Sequence, residues 1–300
     1  MIRIRSRKKF SLRNSNMGFG GTPSVEFLET ETHFNEKGNV VREVKHEPDN
    51  TGSEILEYDY NEQGVITRQK LTAEGEMDME ETIVFERDEK GRLVKEVKYY
   101  GDDEGEKVIV EYGAHNNPVK VFKSDPDGDP ESEETMDYDS SDRLIKHHVK
   151  QFTEDSDVIS QFTYNEAGKP ACKIDTDTNG TVLSKVEFEY DEKGLLVRET
   201  EKNANDELIS EIVTVYDERE NIIHRDIRDY NSRKLIFEFD DNDNCIKEEI
   251  FDENGKMIMK TVFEFNEHNL PVSESSVASG IAFGVTDGNK ESRFEYEYYD

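Results

Sequence analysis

VEFEYDEKGLLVRE, residues Val186 to Glu199, alternates apolar and acidic side chains up to Tyr190. It then turns through Asp-Glu-Lys-Gly and resumes with an aliphatic pair that closes on Arg-Glu. Alternation of period two is strand patterning, with one apolar and one charged face. A short polar break ending in glycine suits a tight reversal, because glycine adopts positive φ at no steric cost. The stretch therefore predicts a β-hairpin, and the chain repeats it about ten times. Anchored on the aromatic residue before the turn, the copies fall at Phe34, Tyr60, Tyr112, Tyr138, Tyr164, Tyr190, Tyr216, Phe239 and Phe265, with Arg87 in the third slot. Successive separations are 26, 27, 25, 26, 26, 26, 26, 23 and 26 residues, and a period this even marks a repeat architecture.

Several columns recur around the anchor. Two residues before it stands a second apolar side chain, such as Tyr58, Phe85, Phe162, Phe188 or Phe263. Four residues past it stands Gly38, Gly64, Gly91, Gly168 or Gly194, or else Asn116, Asp142, Asp243 or Asn269, all residue types that tolerate positive φ; Glu220 is the misfit. Apolar pairs follow at six and seven residues past the anchor, for example Val40-Val41 and Leu196-Val197. A polar stretch, Glu201 to Glu207 in the best copy, then leads to the next unit and reads as a looser connection. No segment of ten or more residues has helical periodicity.

Charge forms two further columns. Arg42, Arg68, Lys95, Lys120, Lys146, Arg198 and Lys247 lie eight residues past the anchor, and Asp59, Glu86, Glu111, Asp137, Glu189, Glu238 and Glu264 lie directly before it. Stacked units would set a basic ladder beside an acidic one. Opposite charges across strands contribute about 0.2–1 kcal/mol each, which favours a role in holding register over a charged binding stripe.

The whole chain of 300 residues has 38 Lys+Arg against 70 Asp+Glu, a net charge of −32, and no tryptophan. So little core-forming material borders on disorder, and only the patterning argues for folding. Cys172 and Cys245 are too few for a disulfide framework. There is neither a secretory apolar run near the N-terminus nor an apolar stretch of membrane-spanning length, so the expectation is a cytoplasmic, non-membrane protein unless a specialised secretion system exports it. Three segments are expected: a basic arm (1–24), β-hairpin repeats (25–273) and a C-terminal insertion with a capping strand (274–300). The arm holds Arg3, Arg5, Arg7, Lys8, Lys9 and Arg13 and no acid; removing its +6 leaves the body at −38. It could bind a partner, clamp onto its own acidic body or stay disordered. The body's charge argues against direct nucleic-acid binding. Val277, Ile281, Phe283 and Val285 in the insertion would be costly to leave in water, which makes them a second candidate partner-binding site beside their reading as an edge cover.

FEYDEKGLLVRE, with the variants YDYNEQGVIT, MDYDSSDRLIK and FTYNEAGKPA, resembles the YD repeats of the RHS family. The resemblance covers residues 34–271. It implies β-hairpins in a long spiralling sheet and a setting among surface or polymorphic-toxin proteins. The chain has neither the dozens of units nor a recognisable cleavage region or toxin domain of that family, so no encapsulating or self-cleaving residue is carried over. The expected fold is all-β, about ten hairpin units of 26 residues forming an elongated twisted or spiral antiparallel sheet of twenty to twenty-one strands. The expected function is a non-enzymatic protein-binding scaffold or adaptor using its acidic surface on a basic protein, as accessory or immunity partner of a secreted toxin system. Alternatives are a shell fragment, a nucleic-acid mimic and a calcium- or glycan-binding surface module.

Catalytic signatures are absent: the sequence holds no GxSxG, phosphate loop or HExxH, and no cofactor is implied. Asp175-Thr-Asp177-Thr-Asn179-Gly180 begins like a calcium loop, but Val186 stands where the bidentate glutamate belongs. Weak Ca2+ binding at such acidic loops is left open. His115, His147 and His148 lack partners at metal-ligand spacing in the sequence.

Overall fold

The computed structural model describes residues 3–13, 25–48, 51–75, 79–154, 156–279 and 288–300. Every regular element among them is a β-strand. The chain opens with β1 (Ile4–Arg13), β2 (Val25–Phe34), β3 (Val40–His46), β4 (Ser53–Tyr60), β5 (Ile66–Glu74) and β6 (Met79–Arg87). Then come β7 (Leu93–Tyr100), β8 (Asp103–Tyr112), β9 (Pro118–Ser124), β10 (Pro130–Tyr138), β11 (Leu144–Gln151) and β12 (Ser156–Tyr164). The third group is β13 (Pro170–Thr176), β14 (Val182–Tyr190), β15 (Leu196–Asn203), β16 (Leu208–Tyr216) and β17 (Ile222–Arg228). Last are β18 (Arg233–Phe239), β19 (Cys245–Asp252), β20 (Met257–Phe265), β21 (Pro271–Ala278) and β22 (Gly288–Tyr298). Two compact units divide the chain: Met1–Thr82, Tyr216–Arg225 and Arg233–Asp300 form one, Ile83–Val215 and Asp226–Ser232 the other.

One hairpin geometry recurs in both units. In β14–β15 the anchor Tyr190 faces Leu196, whereas Glu189 faces Arg198, so Val197 is an extra residue and the register slips. The same slip occurs at Phe34, Tyr60, Tyr112, Tyr138, Tyr164, Phe239 and Phe265. Each is a β-bulge, which accommodates two consecutive apolar residues and increases strand twist. The turn is built by the residue after the anchor. Asp139 Oδ1 accepts the backbone N–H groups of Ser141 and Arg143 at 2.8 and 3.0 Å, and Asn35, Asn61, Asp88, Asn165 and Asp217 cap equivalent turns. The fourth residue past the anchor has positive φ in all ten copies, from 58° at Asn269 to 84° at Gly38, and Glu220 conforms at 69°.

The connections at the opposite ends of the strands are tighter than the sequence suggests. Residues 125–129, 177–181, 203–207 and 252–256 repeat the same two backbone bonds, and Asp206 takes φ 65°. The looser connection expected after Glu201 is thereby corrected: Asn203 caps it as the post-anchor residue caps its own turn.

Tyrosine hydroxyls tie one hairpin to the one before. Tyr112, Tyr138 and Tyr164 donate to the carbonyls of Leu93, Pro118 and Leu144 at 2.9, 2.8 and 2.7 Å, and Tyr60 donates to Val40. Each acceptor opens the second strand of the preceding hairpin. Arg92 and Arg143 lie over the rings of Tyr112 and Tyr164 at 4.2 and 4.7 Å, covering aromatic surface with a cation. Among the described residues the buried apolar side chains are few (Val44, Val97, Val186 and Ile258), whereas Ser6, Ser11, Thr32, Thr261 and Ser292 are also buried. Cohesion comes from backbone ladders and same-face neighbours, as in repeat proteins generally.

The arm's residues 4–13 form β1, which pairs with β2 on one side and β22 on the other. The first and last strands of the chain are thus neighbours, and the sheet closes there instead of ending in two open edges. This corrects the expectation of an open twisted or spiral sheet and raises the strand number among the described residues to 22. The repeat period reveals the hairpins, but whether the end strands meet depends on pairing between residues nearly 300 positions apart.

Candidate functional site at the terminal seam

The seam of β2, β1, β22 and β21 gathers both segments where the repeat fails. β1 sets four bases before Arg13 among small or apolar residues, Ile4-Arg-Ser-Arg-Lys-Lys-Phe-Ser-Leu-Arg13, with Arg7, Lys8 and Lys9 in a row. A bulge between Lys9 and Phe10 shifts its register against β2. The Lys9 ammonium lies 2.9 Å from Glu274 and 3.5 Å from Glu29. Burial works against its charge, but the Glu274 hydrogen bond and the two carboxylates outweigh that and hold its pKa above the ordinary lysine value. Burial likewise opposes ionisation of Glu29, yet bonds from Ser11 and Lys290 together with Lys9 keep its pKa below the ordinary range. Ser11 Oγ lies 2.6 Å from Glu29 and 2.8 Å from Ser292 Oγ. Polar groups buried between the strands are therefore hydrogen-bonded, as burial requires.

Arg293 completes the seam. Its guanidinium lies 4.0 Å from the Phe10 ring centroid, forks onto Glu26 with Nη2–Oε2 at 2.9 Å, and reaches Glu295. A cavity of about 350 Å³ opens beside it, between Phe10 and Leu12 on one side and Ser273 and Ser275 on the other.

Of the predicted arm residues, Arg3 meets Glu36 at 3.7 Å, Arg7 meets Thr32 at 3.3 Å and Lys8 meets Glu31 at 3.5 Å. Arg5 is exposed on β1, and Arg13 ends the strand opposite Val25. Val277 lies on β21 with 45 % of its surface exposed; Ile281, Phe283 and Val285 fall outside the described residues. Residues 274–278 and 288–291 of the expected insertion continue β21 and β22. Sequence reasoning missed Phe10, Glu26 and Arg293, although the alternation in Arg293-Phe-Glu-Tyr-Glu-Tyr298 did announce a strand.

The other sequence candidates resolve into local structure. Asp177 caps a turn through Asn179 and Thr181, both at 2.8 Å, and Asp175 is engaged by Lys173, Ser160 and Ser184. No group of three His, Cys, Asp or Glu among the described residues is placed to hold a metal. His147 and His148 sit on opposite faces of β11, 2.8 Å from Glu134 and 2.9 Å from Asp157. Cys172 and Cys245 are free, with burial pushing both thiols' pKa values up. No helix of the described residues is long and apolar enough to cross a membrane.

The family model of the teneurin YD-shell matches residues 25–290. The chain belongs to the teneurin YD-shell family. Its YD motif has a physical content: the tyrosine bonds the preceding hairpin and the aspartate caps the turn. No curated protein matches the chain. Among solved structures, the TcdB2-TccC3-Cdc42 complex is 12% identical over 90% of this chain with a TM-score of 0.41. The Photorhabdus luminescens Tc holotoxin pore is 12% identical over 82% with a TM-score of 0.36. A porin-like protein from Bacteroides uniformis is 10% identical over 98% of both chains with a TM-score of 0.34. This YD-shell chain spans 18% and 16% of the two Tc chains.

Proposed function

We propose that this YD-shell chain is a non-enzymatic protein-binding scaffold whose acidic surface takes a basic polypeptide. The observation that carries this is the excess of acids, 70 Asp+Glu against 38 Lys+Arg, which leaves the chain at −32. Cross-strand pairs share ions in both directions, Lys247 between Glu238 and Glu249 and Glu249 between Lys247 and Lys260, so pairing does not remove that excess. The resulting negative field attracts a cationic partner and accelerates its approach. A place as accessory or immunity partner of a secreted toxin system belongs to the same proposal and comes from the family alone; work in the cytoplasm, unless a specialised system exports the chain, belongs to the proposal too and comes from the sequence reading.

Titration of the full chain with polylysine at rising ionic strength tests the reading. Affinity should fall steeply from low salt to about 0.5 M, where the Debye length is well under 10 Å. Binding of equal strength at both ends of that range, or none at low salt, would sink it.

A further inference from the structure

Seven hairpins carry a carboxylate directly before the anchor. Six of these carboxylates face a base across the bulge. Asp59 faces Arg68, Glu111 faces Lys120, Asp137 faces Lys146, Glu189 faces Arg198 and Glu238 faces Lys247, while Glu86 meets Lys95 at 3.0 Å. Glu264 alone faces a neutral residue, Ser273, whose hydroxyl donates to it at 2.8 Å. Of the seven carboxylates, Glu264 is the one with no base across the bulge, and its partner Ser273 lines the seam cavity.

That cavity is shaped for what is missing. Ser273 is short where seven other hairpins place lysine or arginine, and with Ser275 it leaves about 350 Å³ against the apolar wall of Phe10 and Leu12. The volume lies at the low end of ligand pockets, about 300–1,000 Å³, enough for one long side chain. Arg293 is the sole cation of the lining, and it is turned away from Ser273 onto Glu26 and Glu295. Its guanidinium already lies over the Phe10 ring, so the apolar contact left for a second cation is Leu12, and Glu291 adds a further carboxylate to the rim.

We propose that the seam cavity receives a lysine or arginine side chain of the basic polypeptide partner, with the stem along Leu12 and the charge at Glu264 and Glu291. Long cationic side chains bury their stems in this way while keeping the head at polar groups. The site rests on the acidic-surface reading above and turns it from a diffuse field into an anchored contact at one end of the repeat.

Calorimetric titration of the full chain with a blocked trilysine peptide at low salt, beside polylysine, tests the site. One peptide should bind per chain. Ser273→Lys supplies the missing cation internally and should weaken trilysine about tenfold. Cys172→Lys, which adds the same charge in the same column of another hairpin, should change it by no more than about twofold. Glu291→Gln, at an exposed position, gives a second measure with an expected loss of about threefold. Several equivalent trilysine sites per chain, or equal weakening by both lysine variants, overturn the cavity while polylysine binding keeps the scaffold reading. Failure of polylysine as well removes both.

Discussion

Glu220 isolates the cost of one backbone conformation. It is the only glutamate among ten residues in the fourth position past the anchor, and with φ 69° it follows the glycines, asparagines and aspartates of the other copies. A side chain with Cβ loses about 1 kcal/mol or more in the left-handed region, and glutamate lacks the short polar group with which asparagine offsets part of that loss. The turn nonetheless forms, because Asp217 accepts the N–H groups of Arg219 and Asn221 at 2.8 and 2.9 Å. Glu220→Gly should therefore raise the unfolding free energy by about 1 kcal/mol, visible as a higher urea midpoint at unchanged slope. An unchanged or lower midpoint would show that the neighbouring contacts, not φ, set the cost.

Hairpins are the level at which the sequence was most legible. Period-two alternation, the turn glycines and the even spacing of Tyr112, Tyr138, Tyr164 and Tyr190 define the hairpins, and the opposition of Glu189 to Arg198 follows from them. The bulge was present in the sequence as the pair Leu196-Val197, since strict alternation allows no two adjacent apolar residues, but an apolar doublet does not say which member is extra. The cap was present too, as the Asp or Asn after each anchor; reading it needs the knowledge that its oxygen meets two N–H groups. Asp139 gives the test. Its carboxyl is held below the ordinary range by the hydrogen bond from Arg143 and by the backbone N–H groups. A pKa lower in the folded than in the unfolded chain adds stability above the unfolded value of about 3.9, lost as pH falls through the folded value. Asp139→Ala should be less stable than wild type at pH 7 and show a shallower loss between about pH 4 and pH 2. Asp139→Asn, the residue already present at Asn165, should keep most of the stability at pH 7. Chemical denaturation across that pH range decides, and equal curves for Ala and Asn would remove the capping account.

At the scale of the whole molecule, β1 determines whether two strands are edges. Its residues were visible as a basic arm, but its place was not, because nothing local to Ile4–Arg13 names Tyr298 or Val25 as neighbours. Its bases meet Glu29, Glu31 and Glu274, and its backbone satisfies both β2 and β22. Without it those two strands would present unpaired N–H and C=O groups, the template for pairing with another chain. Charge opposes such pairing: the chain without its first 24 residues carries −38, and at low ionic strength copies of it repel. Salt shortens the reach of that repulsion to about 10 Å at 0.1 M and about 3 Å at 1 M while leaving backbone hydrogen bonds intact. A chain beginning at Val25 should therefore sediment as a monomer at low salt and associate as salt rises, whereas the full chain should stay at one size throughout. Adding a peptide of residues 1–24 should reverse the association by refilling the seam. If the shortened chain stays monomeric at 1 M salt, or if both chains associate alike, β1 is not what protects the edges of β2 and β22.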